Sequence, residues 1–166
     1  MGDGRGGSGG INERGVNSRL EKLKLGTLSQ VAIMHALEAA GHRSNIVHPD
    51  DDAFNQIDLT IGGNEVIQVK GMSKKKMDMT VLEIDEVVLP GLKVKAKDGK
   101  EFHITDYLAQ KHSQFREKIK DYQERLKLKE PIKGYMIAVP YERFDSVTGV
   151  PDEDFVNFVK DEVKKM

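Results

Sequence analysis

The sequence feature that most constrains the fold is a pair of short apolar segments on either side of Gly62-Gly63-Asn64. Residues 56–61 and 65–70 are rich in Ile, Val, Leu and Thr, which favour strands. Glycine and asparagine tolerate the positive φ angles of a tight turn. Because a short turn between two such segments is typical of a β-hairpin, the sequence predicts two antiparallel strands here.

The apolar pattern also predicts which residues of the hairpin pair. With a turn at 62–64, one face holds the pairs Ile61–Glu65, Leu59–Ile67 and Ile57–Val69, and the other holds Thr60–Val66, Asp58–Gln68 and Gln56–Lys70. A shift by one residue would scatter the apolar side chains over both faces. We therefore expect Asp58, Gln68 and Lys70 on one polar face, with an apolar face behind. A hairpin with one dry and one wet face is common, so this pattern alone does not require a functional site.

The first part of the chain predicts a tail and a helix. Residues 1–16 are rich in glycine and predict a flexible tail, followed by a single domain over 17–166. A helical region then runs to about Ala40, and Gly41 is expected to end it. Two pairs fit a capping box at a helix start, namely Ser18 with Glu21 and Thr27 with Gln30. Residues 42–48 predict a short strand or an extended link.

The second half predicts strands, then a long helix, a strand and a last helix. Residues 79–89 and 92–104 predict strands, and the second stretch holds a hairpin turn at 97–100. The long helix is expected from Tyr107 to about Lys127, capped by Thr105 or Asp106. Its buried stripe consists of Leu108, Phe115, Ile119, Tyr122 and Leu126. A strand at 135–139 ends at Pro140, and a helix at 152–165 turns Phe155, Phe158 and Val159 inward.

Composition sets broad limits on function. The 166 residues carry a net charge of −1 with 32% charged residues, which is ordinary for a globular protein and mildly against a nucleic-acid binder. The chain has no cysteine, which excludes disulfides and thiolate metal sites and is compatible with a cytoplasmic location. No apolar run approaches a membrane span, so we expect no membrane partner.

The chain resembles the PD-(D/E)XK nuclease superfamily, in its Gln-x-Lys branch. The resemblance lies in a predicted helix that is followed by Asp58 on one strand and by Gln68-Val69-Lys70 on the next. Upstream, the stretch from Gly26 to Gln30 is similar to the family's opening pattern, although the family has glutamate where this chain has Gln30. The resemblance implies an α/β fold with a restriction-endonuclease-like core. That core is a helix, a mixed β-sheet, a helix and a strand, here with an inserted β-hairpin and a C-terminal helix.

The resemblance also implies a metal-dependent endonuclease that cleaves nucleic acid, with DNA as the expected substrate. Asp58, Gln68 and Lys70 would be its catalytic residues. Asp58, the Gln68 side chain and the Val69 carbonyl would bind Mg²⁺ or Mn²⁺, hard cations that prefer oxygen ligands. Because only Asp58 brings a charge, we expect weak metal binding and activity at millimolar Mg²⁺.

Several further residues are candidates for auxiliary or binding roles. Gln30, Glu38 and Asp50 are candidate auxiliary residues, and Asp50 in Pro49-Asp50 is a rival to Asp58 for the family's aspartate. We prefer Asp58, because a strand fixes its geometry and a loop does not. The candidates for contact with nucleic acid are basic, namely Lys74, Lys75, Lys76, Lys111 and Arg116.

Two other functions stay open at this point. Glutamine in place of glutamate at positions 30 and 68 is compatible with a module that binds nucleic acid or a protein without cutting. The nuclease domain of a bacterial toxin, with an immunity protein as partner, is a further alternative. A homodimer is a further candidate assembly.

Overall fold

The computed structural model describes residues 9–47, 57–62, 64–95 and 99–165, with side chains in the first helix described from Arg19 onward. The helices of this part are α1 (Gly9–Ala39), α2 (Asp106–Leu126) and α3 (Glu153–Val163), with a short 3-10 helix at Tyr141–Arg143. The strands are β1 (Ser44–Ile46), β2 (Leu59–Ile61), β3 (Glu65–Met72), β4 (Thr80–Glu83), β5 (Lys93–Lys95), β6 (Glu101–His103) and β7 (Lys133–Pro140). The protein is therefore a mixed α/β fold.

Five strands form one mixed sheet in the order β1-β2-β3-β7-β4. Strands β3 and β7 are parallel neighbours at the centre, and the other pairs are antiparallel. The chain between β3 and β7 contains β4, the separate hairpin of β5 and β6, and α2. Because parallel strands need a long crossover, this segment supplies the connection that a two-residue turn cannot.

The predicted register of the first hairpin is confirmed over its strand residues. Leu59 pairs with Ile67, Thr60 with Val66 and Ile61 with Glu65. Gly62 has a φ of 65°, the conformation that glycine adopts without strain. The apolar alternation and the turn residues were sufficient to select this pairing.

The predicted pairs beyond Leu59 do not continue the regular ladder. The Asp58 N–H donates to the Ile67 carbonyl over 2.9 Å, although the register partner of Ile67 is Leu59. Ile57 also packs on the opposite face of the sheet from Leu59. The regular Asp58–Gln68 and Ile57–Val69 pairs were therefore wrong, because the chain bends at Asp58 and crosses to the other face.

Both faces of the sheet are buried. On one face, the side chains of α1 and α3 pack on Ile67, Val69 and Ile137. On the other, α2 packs on Val66 and Met136. The expectation that Gln68 and Lys70 lie on a wet face of the hairpin was wrong for β3, because α2, which comes much later in the sequence, covers that face.

Helix α1 begins at Gly9, inside the segment that the sequence assigned to a flexible tail; residues 1–8 of that segment lie outside the described residues. Both predicted capping boxes were wrong, because the helix runs through Ser18 and Thr27. The Thr27 hydroxyl instead donates to the Leu23 carbonyl one turn earlier. The predicted stop is confirmed at Gly41, whose φ is 85°.

The other elements follow the predictions with shorter strands. The Thr105 side chain caps α2 by accepting from the Leu108 N–H, and Leu126 at the far end is 48% exposed rather than buried. Strand β4 ends at Glu83, so the predicted strand to residue 89 is too long. The predicted second hairpin forms, with residues 96–98 outside the described part. Among the described helices, none combines the length and apolar character needed to cross a lipid bilayer.

Candidate functional site

The Asp58 carboxylate joins three elements at the start of β2. Its Oδ1 accepts a hydrogen bond from Gln30 Nε2 of α1 over 3.1 Å. Its Oδ2 accepts from the Val69 N–H of β3 over 2.7 Å. The bend at Asp58 makes this possible, because the carboxylate takes a strand N–H in place of a backbone partner. The carboxylate is therefore held in a fixed orientation between helix and sheet.

The Gln30 side chain contacts Asp58 and does not cap a helix start, because α1 is continuous through Thr27. With α1 continuous from Gly9, Gln30 lies on a helix face whose neighbours Ser29 and Ile33 are buried against the sheet. Ser29 is fully buried and its hydroxyl donates to the Leu25 carbonyl over 2.8 Å. The predicted auxiliary role of Gln30 thus has a structural counterpart, a contact with Asp58 across 28 positions of sequence.

Gln68 and Lys70 lie on β3, two residues apart, so their side chains leave the same face of the sheet. Gln68 is buried, with 3% of its surface exposed, and Lys70 is half-buried. Gln68 interacts with its surroundings. Its side-chain oxygen Oε1 accepts no hydrogen bond from the described residues. Burial in the central strand fixes both side chains more firmly than a surface hairpin would.

The end of β3 after Lys70 is closely packed. The Tyr141 hydroxyl donates to the Gly71 carbonyl over 3.0 Å. A Cβ atom on Gly71 would lie 2.5 Å from Tyr141 Cε1 and 2.6 Å from Ser29 Oγ. The absence of a side chain at Gly71 lets α1 and the 3-10 helix meet directly after Lys70.

The three lysines at 74–76 follow this end of β3 in a turn. The Lys74 N–H donates to Glu142 Oε1 over 2.9 Å, and the Lys76 N–H donates to the Ser73 carbonyl over 2.9 Å. Lys75 and Lys76 are exposed. Glu142 therefore holds the backbone of the turn while its outer lysines face solvent.

The two basic candidates on α2 have different surroundings. The guanidinium of Arg116 donates to the Ile84 carbonyl over 3.0 Å and to the Glu86 carbonyl over 2.7 Å. This links α2 to the segment after β4, which is a structural role. Lys111 Nζ lies 5.6 Å from the ring centroid of Tyr107.

The auxiliary candidate Glu38 is not brought to Asp58. Glu38 is exposed and lies eight residues after Gln30, which is about 12 Å along a helix. Asp50 lies outside the described residues. The choice between Asp50 and Asp58 as the family's aspartate therefore stays a prediction, which the contacts of Asp58 support.

Sequence reasoning missed a buried ion pair near the lysine turn. Asp78 has a fully buried side chain, and the Arg143 guanidinium binds both of its oxygens, over 3.1 and 2.8 Å. Burial alone would raise the pKa of Asp78, but hydrogen bonds from Arg143 and the Met79 N–H, with the Arg143 charge, hold it below 3.8. An aspartate between two methionines, Met77 and Met79, was the one sequence signal of burial.

The three oxygen ligands that the sequence predicted fit a hard divalent cation in kind. The Asp58 carboxylate, the Gln68 amide and the Val69 carbonyl are oxygen ligands of the type that Mg²⁺ prefers. Only Asp58 carries a negative charge. Within the described ranges, no three His, Asp or Glu side chains come together as a metal-binding group. A cation would therefore depend strongly on ligands from its substrate.

Comparison of the chain with protein-family models, with curated proteins and with solved structures gave no match.

Proposed function

We propose that the protein is a Mg²⁺-dependent endonuclease that cleaves nucleic acid, with DNA as the favoured substrate. The observation that supports this most is the Asp58 carboxylate, which contacts Gln30 of α1 and the Val69 N–H of β3. These contacts join the parts of the sequence that resemble the nuclease superfamily. The sequence of elements, helix, strands, helix and strand, is also the order that the superfamily core has.

The sheet topology supports a site at this position. Ligands of open α/β sheets bind at the carboxyl ends of parallel strands. Strands β3 and β7 are parallel, and the run from Gln68 to Lys70 lies in the middle of β3, with Val69 and Lys70 in its carboxyl-terminal half. A phosphodiester placed there would meet Lys70 from the strand and the lysine turn beyond it.

The residues have distinct roles in the proposed reaction. A divalent cation bound by Asp58, Gln68 and the Val69 carbonyl would polarise the phosphate and lower the pKa of a bound water. Lys70 stabilises the negative charge that grows on the phosphate, or orients the attacking water. Gln30 holds the Asp58 carboxylate in one rotamer through its hydrogen bond.

The decisive experiment is a cleavage assay with plasmid, branched DNA and RNA, each with Mg²⁺, Mn²⁺ or EDTA. The variants are Asp58→Asn and Lys70→Ala, and Lys160→Ala on α3 is the control. Asparagine keeps an oxygen for the Val69 N–H, and a turned Gln30 amide can accept from its Nδ2, so Asp58→Asn should unfold at the same temperature as the wild type within a few degrees. We expect metal-dependent cleavage that both site variants lose and the control keeps.

Other outcomes would separate the alternatives. Undiminished cleavage by Asp58→Asn and Lys70→Ala would refute the site. Calorimetry adds a second criterion, because one carboxylate should bind Mg²⁺ only at millimolar concentration in the absence of substrate. Micromolar affinity of the free protein would contradict the assignment of Asp58 as the single charged ligand.

The second candidate function is a binding module that does not cut. It is favoured by the two hydrogen bonds that already occupy both oxygens of Asp58, and by the neutral amides at 30 and 68. Retained binding without cleavage, at any Mg²⁺ or Mn²⁺ concentration, would support it. A toxin domain would instead co-purify with a small acidic immunity protein. A homodimer and a cytoplasmic location are further parts of the proposal.

A further inference from the structure

An exposed aromatic side chain lies in the first turn of α2. Tyr107 has 55% of its surface exposed, and the ammonium group of Lys111, one helical turn later, lies 5.6 Å from its ring centroid. Tyr107 is not a member of either hydrophobic cluster of buried residues or of the residues packed against them. Packing within the described core therefore gives no reason for an aromatic ring at this position.

Tyr107 lies close to the end of β3 that carries Lys70. Tyr141 binds the Gly71 carbonyl through its hydroxyl and touches the backbone directly after Lys70. The pKa of Tyr141 is raised, chiefly by burial and additionally by the nearby phenol of Tyr107. The chain geometry agrees, because α2 leads back into β7 and so begins at the carboxyl end of the parallel strands.

The surface around Tyr107 carries an excess of positive charge. Lys111 lies on α2, and the lysines at 74–76 follow the same end of β3. The acidic groups described at this end include Asp106, in the first turn of α2, Glu142, which accepts from Ser73 and from the Lys74 N–H, and Asp58, which accepts from the Val69 N–H. With Lys70 included, five lysines thus stand against three carboxylates among the described residues, and the buried Asp78 is neutralised by Arg143.

We propose that Tyr107 is a stacking platform for an unpaired base, so that the nucleic acid is single-stranded where it crosses this end of the sheet. The inference rests on the proposed function and names its substrate class more closely. Aromatic rings beside basic groups bind single strands, because an unpaired base can place its face on the ring while lysines contact the phosphates. A base within a duplex is stacked on its neighbours and cannot do so.

The test measures binding in EDTA, where a metal-dependent nuclease does not cut. A fluorescently labelled single-stranded deoxyoligonucleotide and the same sequence as a duplex are titrated with wild type, Tyr107→Ala and Tyr107→Phe. We expect Tyr107→Ala to weaken single-strand binding by about 5- to 150-fold, the range for loss of one stacked base. Tyr107→Phe keeps the ring and should bind like the wild type, and duplex binding should change less than about twofold in both variants.

Lys111→Ala gives a contrasting control. Loss of a phosphate contact weakens binding to single strand and duplex alike and lowers the salt dependence. Equal weakening of both probes by Tyr107→Ala, no effect of that variant, or no single-strand binding by the wild type would each overturn the proposal. These binding outcomes are independent of cleavage. Stacking without cleavage would contradict the proposed nuclease function alone, and cleavage without stacking would contradict the role of Tyr107 alone.

Discussion

At the scale of single residues, Gly71 determines how closely α1 and the 3-10 helix approach the site. An alanine methyl there would lie 2.5 Å from Tyr141 Cε1 and 2.6 Å from Ser29 Oγ. Neither neighbour moves freely, since Ser29 is hydrogen-bonded within α1 and Tyr141 is bonded to the Gly71 carbonyl. We expect Gly71→Ala to lower the free energy of unfolding by about 1–3 kcal/mol, the usual cost of overpacking.

Gly26 offers a matched control for that prediction. It lies inside α1 and an added Cβ would meet no atom within 4 Å. Gly26→Ala should therefore raise the free energy of unfolding by about 0.5–1 kcal/mol through helix propensity. Urea denaturation of both variants measures the two changes. Equal effects of the two substitutions would show that the close contact at Gly71 does not determine stability.

The same scale shows what local sequence can predict about the site. Alternation of apolar residues was sufficient for the pairing of Leu59 with Ile67. It could not predict the bend at Asp58, because that bend is stabilised by Gln30, which is distant in sequence. The family resemblance, rather than periodicity, pointed to Gln30, and the capping interpretation of the same residue was wrong.

At the scale of elements, the ion pair of Asp78 and Arg143 links the start of β4 to the 3-10 helix. Arg143 also lies 3.7 Å from Asp152, the cap of α3, and 3.4 Å from Asp154. Asp78 is fully buried, so loss of its partner leaves a charge in the interior. We expect Arg143→Met to lower the free energy of unfolding by about 3–5 kcal/mol at neutral pH.

The pH dependence of this effect has a definite sign. The pKa of Asp78 is lowered on folding from its ordinary value of 3.8. A lowered pKa means that the pair stabilises the protein above pH 3.8 and that this contribution is lost as the pH falls through the lower, folded-state pKa. The loss on acidification should therefore be larger in the wild type than in Asp78→Asn. Denaturant titrations from neutral to acidic pH measure the difference, and parallel pH profiles would contradict it.

Elements also show where sequence reasoning was insufficient. The helix from Asp106 to Leu126 was predicted almost to the residue, because its cap and its apolar stripe are local. The burial of Gln68 was missed, because the helix that covers its face comes almost 40 positions later in the sequence. The role of Arg116 was missed for the same reason, since its acceptors Ile84 and Glu86 lie in the segment after β4, about 30 positions earlier in the sequence.

At the scale of the whole molecule, one sheet separates two hydrophobic cores. The first contains Phe155 of α3 and the second contains Phe115 of α2, and both rings are fully buried. Strands β3 and β7 contribute side chains to both cores, with Ile67 and Ile137 on one face and Val66 and Met136 on the other. If the central strands unfold, the apolar side chains of both cores are therefore exposed to water. This coupling is a physical argument for the predicted single domain.

We therefore expect one cooperative unfolding transition that substitutions in either core shift as a whole. Phe115→Ala and Phe155→Ala should each lower the free energy of unfolding by about 3–5 kcal/mol, while Val147→Ala, at a position that is 74% exposed, should change it by less than about 0.5 kcal/mol. Urea titrations followed by far-UV circular dichroism and by tyrosine fluorescence should coincide for every variant, as two-state unfolding requires. If Phe115→Ala instead separated the two transitions, α2 and its core would unfold independently. The packing of α2 on the face that carries Gln68 would then be lost separately from the other core, and the candidate site would be open in the partly unfolded state.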